Sequence, residues 1–297
     1  MDRRRRALLA LVAAGALRPS LAQDGIMTKR IPASGEALPV IGVGTWQTFD
    51  AGNDPAARAP LREVLKLLEG NLIDSSPMYG SSESVAGDLM AELGMRDRLF
   101  VATKVWTHGR DAGIAQMETS FRRLRVERMD LMQVHNLADV ATHTKTLLEM
   151  KAKNRVRYIG ITHYTSSAYA EVERLLKTRQ YDFLQINYSL GEREAEKRLL
   201  PLAQELKTAV IANRPFVEGA LFRRVKGRPL PPWAAELGIA SWAQYFLKWI
   251  VSHPAITCAI PGTGNPKHMK DNLGAGRGPQ PDESTRRRMA QHFDAQA

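Results

Sequence analysis

Leu72-Ile-Asp74-Ser-Ser-Pro-Met-Tyr79-Gly80, Leu99-Phe-Val-Ala-Thr-Lys104-Val105 and Met129-Asp-Leu-Met-Gln-Val-His135 decide how this chain folds. Each is a short apolar run that closes on or near a polar group: Asp74, Lys104 or His135. Asp74 lies 30 residues before Lys104, and Lys104 lies 31 before His135. That is about one strand-plus-helix unit. Successive strand ends of a parallel barrel open into one shared mouth, so a carboxylate, a phenol, an amine and an imidazole would meet there. Singly, each has a plainer explanation. A strand-end Asp is usually a turn or helix cap, a strand-end Lys is usually solvated, and a His among apolar residues is usually a core group. In order and one unit apart, the four are poorly served by those explanations.

Their chemistry is complementary. A free tyrosine titrates near pH ~10; an ammonium close by favours the phenolate and is expected to lower that value. Asp74 would keep Lys104 charged and aimed, and His135 would orient a carbonyl oxygen or help relay the proton. Such a set suits protonation of a carbonyl oxygen as hydride arrives at its carbon. Side chains do not donate hydride, so a nicotinamide cofactor is required.

The rest of the chain supplies the units. Strands are expected at 40–46, 71–75, 99–105, 129–135, 156–162, 182–188, 208–213 and 256–260, short and rich in Val, Ile and Leu as buried parallel strands are. The expected fold is a (β/α)8 TIM barrel. Met27–Pro39, with Ala33-Ser-Gly-Glu36 at its turn, reads as an N-terminal hairpin that plugs the barrel bottom. Glu171–Lys177 and Glu192–Lys207 show helical spacing, Ser241–Ser252 reads as a helix against the barrel wall, and Ser284–Phe293 as a final one. Asp130 reads as turn chemistry. Phe216–Pro232 is a long connection whose Arg223-Arg-Val-Lys-Gly-Arg228 either covers a pyrophosphate or is solvated. Ile260-Pro-Gly-Thr-Gly-Asn-Pro266 ends the eighth strand and opens a helix, a place where backbone N–H groups hold phosphate well. Lys267 and Lys270 sit in its first turns.

The chain has 297 residues and a formal net charge of +11. Arg3–Arg6, the apolar run Ala7–Leu17 and Ser20-Leu-Ala22 read as a signal peptide over 1–22, of twin-arginine type with Sec as the alternative. The expected location is periplasmic or secreted, the export machinery a partner, and 23–297 a single domain. Eleven apolar residues are too few for a membrane-spanning helix. Without 1–22 the chain loses five arginines and one aspartate and keeps +7, an excess that can attract an anionic cofactor. No nucleic-acid motif is present and no metal site is assigned. Cys258, the only cysteine, lies in an apolar run and reads as a buried small hydrophobe.

Leu38-Pro-Val-Ile-Gly-Val-Gly-Thr-Trp46, the Asp74–Tyr79–Glu83 block, Ala102-Thr-Lys104, Gln133-Val-His135, Ile159-Gly-Ile-Thr162, Gln185-Ile-Asn187 and Ala259-Ile-Pro-Gly-Thr263 followed by Asn272 together resemble the aldo-keto reductase family, in order from about residue 38 to 275. The resemblance implies a (β/α)8 barrel, a catalytic tetrad at Asp74, Tyr79, Lys104 and His135, and reduction of an aldehyde or ketone with NADPH, NADH being the alternative. It further implies cofactor contacts from Thr45, Trp46, Asp74, Thr162, His163, Gln185, Arg214, Pro215, Ile260, Thr263, Lys267, Lys270 and Asn272. Among these, Gln185 matches the residue that holds the carboxamide, and Asn272 matches one that binds adenine. Five positions depart from the family's pattern. Gly262 stands for Lys, His268 for Arg, Thr162-His163 for Ser-Asn, and Asn213 for a ring-stacking aromatic, a role Arg214 can take with its guanidinium plane. A short C-terminal tail implies an open pocket lined by Trp46, Met78 and Trp106. The rival reading is a non-catalytic nucleotide-binding or redox-sensing subunit on the same fold; a more distant one is an unrelated phosphate-binding barrel.

Overall fold

Runs of β-branched and apolar residues pair edge to edge in chain order to form one parallel sheet. The computed structural model describes residues 25–296; the export signal read at 1–22 lies outside them. A hairpin of β1 (Thr28–Arg30) and β2 (Ala37–Pro39) precedes the barrel strands β3 (Val43–Gly44), β4 (Leu72–Asp74), β5 (Phe100–Val105), β6 (Met129–His135), β7 (Val156–Thr162), β8 (Phe183–Asn187), β9 (Ala209–Asn213) and β10 (Ile256–Ala259). Around them run α1 (Pro55–Lys66), α2 (Ser82–Glu92), α3 (Arg110–Leu124), α4 (Val140–Ala152), α5 (Tyr169–Leu176), α6 (Leu199–Leu206), α7 (Ala220–Arg224), α8 (Trp242–Val251), α9 (Pro266–Gly274) and α10 (Glu283–Asp294). Parallel bridges Ile41↔Ala259 and Gly44↔Gly262 join the two edge segments, so all eight expected strands form a nearly closed (β/α)8 barrel.

The period-2 alternation of strands sorts the side chains. Ile73, Val101, Val134, Ile161, Leu184, Ile186 and Val210 face outward and pack into the helix-side core. Leu72, Phe100, Leu131, Tyr158, Phe183, Ala209, Ile211 and Cys258 fill the inside. Two or four residues further along the same inward rows the side chains turn polar: Asp74, Lys104, Gln133, His135, Thr162 and Gln185, all buried.

The hairpin closes the opposite end. Ile31 and Leu38 enter the inner cluster. The Tyr158 hydroxyl, near the start of β7, bonds Ser34 Oγ at 2.6 Å and Glu36 Oε2 at 2.7 Å. Asp130 is occupied here too, accepting from Val101 N and from Arg157. No described helix is long and apolar enough to cross a membrane.

Two elements differ from the sequence reading. The helix expected over Glu192–Lys207 is broken: a 3-10 turn covers Glu194–Lys197, Arg198 is non-helical, and α6 restarts at Leu199. Pro201 explains this, because its ring would clash with the carbonyl of Lys197 and it has no N–H to bond there. The long connection holds α7, and Arg224 and Arg228 turn toward the chain's end, donating to Asp294 O at 2.8 Å and Gln296 Oε1 at 3.0 Å. They do not line the barrel mouth.

If the hairpin seals the inner core, Leu38→Ala opens a cavity where the side chain is 1% exposed. Guanidinium unfolding should show a loss of about 2–5 kcal/mol with an unchanged denaturant slope; a loss under half a kilocalorie would mean the barrel bottom is open.

Candidate active site

Three strand ends set the tetrad. Asp74 closes β4, Lys104 is the penultimate residue of β5, and His135 closes β6. Lys104 Nζ donates to Asp74 Oδ2 and to Ser75 O, both at 2.7 Å. Gln133 and Gln185 side-chain amides add longer donors to Asp74, at 3.4 and 3.3 Å. Burial works against the Lys104 charge, but Asp74 and Tyr79 outweigh it and raise the pKa above that of an ordinary lysine.

Tyr79 comes from the turn between β4 and α2. Its amide donates to Ser76 O at 3.0 Å, and the Asp50 carboxylate pins the turn by accepting from Ser81 N and Oγ. Lys104 Nζ lies 5.1 Å from the centre of the Tyr79 ring. Tyr79 and His135 meet edge to face, 5.9 Å apart at 86°. Burial pushes the Tyr79 phenol above its ordinary pKa, and Lys104 offsets that only in part. The expected fall in the phenol's pKa is therefore corrected. Desolvation is the larger effect, Tyr79 stays protonated through the neutral range, and Lys104 limits the rise.

Burial first, then the charges on Lys104 and His163, push the His135 pKa down to about 2. The ring is neutral, and its Nδ1 lies 3.0 Å from Ser76 Oγ.

Above the tetrad opens a cleft of about 810 Å³. Thr45, Trp46, Met78, Thr162, Gln185, Arg214, Pro215 and Ile260 line it together with Asp74, Tyr79, Lys104 and His135. His163, Thr263, Lys267, Lys270 and Asn272 are not in its wall. The His163 ring lies flat along Tyr164, centres 5.6 Å apart at 6°, and Tyr164 lines the cleft instead. Thr263 Oγ1 accepts from Asn265 N and shapes the entry to α9. Lys267 and Lys270 are exposed on that helix, and Asn272 is buried beneath it. Arg214 pairs with Glu218 at 2.5 Å and Glu192 at 3.6 Å, with its guanidinium 6.0 Å from the Tyr164 ring. Those partners hold it at the rim of the cleft, which it lines. Trp106 is 44% exposed and its ring lies 6.5 Å from His135.

The cleft fits a nicotinamide nucleotide. Asn213 Oδ1, in the polar part of the wall with Thr162 and Gln185, is buried without a hydrogen-bond partner. A carboxamide brings the donor that this oxygen lacks. Sequence reasoning assigned no role to Ser76 or Gln133. Both stood in the quoted segments, but their contacts bridge strands 59 and 52 residues apart, which spacing alone does not reveal.

The neutrality of His135 has a stability consequence. Below pH ~6.5 the unfolded chain binds a proton that the folded ring refuses, so stability falls as pH drops from there toward 2. His135→Asn removes that contribution. Urea unfolding at pH 7, 6 and 5 should give the variant an acid-side slope flatter by up to about 1.4 kcal/mol per pH unit. Parallel slopes would show that the ring titrates normally.

Known proteins resemble this chain in sequence and in fold. The model of the Aldo/keto reductase family matches residues 40–290. The methylglyoxal reductase YeaE of Escherichia coli is 31% identical over 255 residues, spanning 82% of this chain and 88% of that protein. An aldo/keto reductase from Klebsiella pneumoniae, solved in complex with NADP and acetate, superposes with a TM-score of 0.72 at 25% identity, over 87% of this chain and 93% of that one. The thermostable aldo-keto reductase Tm1743, solved with the inhibitor epalrestat, reaches 0.74 at 23% identity, over 92% of this chain and all of that one, a likeness of fold. With the family model spanning most of the chain and the strand order of the barrel intact, this chain belongs to the aldo/keto reductase family.

Proposed function

We propose that the protein reduces the carbonyl of an aldehyde or ketone to an alcohol, with NADPH as reductant and Tyr79 as the proton donor. The observation that carries this is the convergence of a protonated phenol, a neutral imidazole and a buried lysine on one cleft. A nicotinamide held in the cleft would supply the hydride that the carbonyl carbon takes up. Everything else is done by this chain. The cleft face of His135 offers an N–H to the carbonyl oxygen and fixes its direction. Tyr79 gives that oxygen its proton. Lys104, held charged by Asp74, faces the phenolate that Tyr79 leaves, and such preorganised charge acts strongly in a water-poor site. Thr162, Gln185 and Asn213 hold the amide of the cofactor.

Trp46, Met78, Tyr164 and Phe222 are exposed apolar residues at the mouth. Arg214 and Glu218 neutralise each other beside them. An uncharged substrate is favoured. The Escherichia coli relative makes methylglyoxal the first aldehyde to test, and the NADP held by the Klebsiella pneumoniae protein supports NADPH over NADH. A purely regulatory nucleotide-binding role would leave this proton-transfer set without a purpose. The basic and apolar run at 1–22 carries the export reading, and with it a location outside the cytoplasm.

The test is NADPH oxidation with methylglyoxal and a panel of aldehydes, beside a fluorescence titration with NADPH. Tyr79→Phe should bind NADPH as the wild type does and lose about 10²–10⁴-fold in kcat. A variant that keeps more than a tenth of wild-type turnover would remove Tyr79 as the acid.

A further inference from the structure

Ser76 is fully buried between the two groups that would meet a substrate oxygen. Its backbone carbonyl accepts the Tyr79 amide at 3.0 Å. Its hydroxyl lies 3.0 Å from His135 Nδ1. The same hydroxyl oxygen accepts the Met78 amide at 3.4 Å, so one of its lone pairs is engaged and its hydrogen is free to point at the imidazole.

A neutral imidazole carries one ring hydrogen, and the group bonded to one nitrogen decides which nitrogen has it. A carbonyl oxygen can only accept. To serve it, His135 must carry its hydrogen on the nitrogen that is not turned toward Ser76. That leaves Nδ1 as an acceptor buried beside Lys104 and in need of a donor.

We propose that Ser76 is a positioning residue: by donating its hydroxyl to His135 Nδ1 it fixes the tautomer with hydrogen on Nε2 and aims that N–H into the cleft. The inference rests on the proposed reading of His135 as a donor to the carbonyl oxygen. Ser76 is buried and does not line the cleft. It acts through His135, and its backbone keeps the turn bearing Tyr79 in step with that ring.

The test has two arms, both on the full chain. Long-range proton–nitrogen NMR on protein labelled with ¹⁵N at histidine reports which nitrogen of His135 is protonated, whether or not the enzyme turns over. The wild type should show Nε2–H. Ser76→Ala, which keeps the Cβ and so the packing, should shift population to Nδ1–H. Its kcat should fall about ten-fold, the equivalent of one net hydrogen bond, with NADPH affinity unchanged. Ser76→Thr, which restores a hydroxyl, should recover both signals. A wild-type spectrum with Nδ1–H, or a Ser76→Ala spectrum identical to wild type, would overturn the inference. Failure of the wild type to reduce any carbonyl would count against the proposed function, while the tautomer readout would still judge Ser76.

Discussion

Lys104 is a charge with no exposure to water, and the upper half of the barrel is arranged around that fact. An ammonium taken out of solvent loses several kilocalories of hydration, and losing its partner would cost about 3–5 kcal/mol. The compensation is positional. Asp74 pairs in register with Ala102, so Lys104, two residues on and on the same face, reaches both the Asp74 carboxylate and the Ser75 carbonyl. A slip of one residue would turn Lys104 into the apolar shell between sheet and helices. Lys104 in turn pairs with Gln133, and Gln133 with Gly160. A Cβ on Gly160 would come within 2.8 Å of Phe183 O and 3.2 Å of Gln133 Cγ. The missing side chain leaves room for the amide that links Gln185 to Asp74.

Such a polar layer is tolerable because the layers beneath it are dry. Inward residues of the same strands are Leu72, Phe100, Leu131, Tyr158 and Phe183, sealed by Ile31 and Leu38 of the hairpin. The dry floor also sets the electrostatics. It prevents water from reaching the pair from below, which is why burial is the largest influence on Tyr79 and His135 as well as on Lys104.

The strand ends were legible because they depend on local pattern: apolar runs of five to seven residues, one unit apart, each closing on a polar group. The bottom hairpin was legible from its turn residues. What the sequence concealed has a common cause, in that it depends on contacts between distant segments. Charge neighbours can be inferred from spacing, but the degree of desolvation cannot, so the lowering effect of Lys104 on Tyr79 was legible and the larger, opposing effect of burial was not. The tethering of Arg214 depends on Glu192, which arrives from another βα loop. Past Thr162 the strand ends, and with it the alternation that would say whether His163 or Tyr164 faces the cleft. The break before α6 was visible in principle, since Pro201 stands in the middle of the expected helix.

The corrected direction for Tyr79 alters how the site is understood. A phenol with a lowered pKa would serve equally as acid or base. One held protonated by burial, beside a neutral imidazole in the tautomer proposed above, would give the cleft two hydrogen donors and no ready proton acceptor. A bound oxygen is then favoured as an acceptor, which describes a carbonyl better than an alcohol. Lys104 acts the other way, its charge favouring the phenolate, which in the proposed reaction would keep the proton transfer reversible. The buried ion pair and the apolar floor thus act in opposite senses on one oxygen atom: burial holds the proton on Tyr79, Lys104 eases its loss, and an acid of the proposed kind needs both.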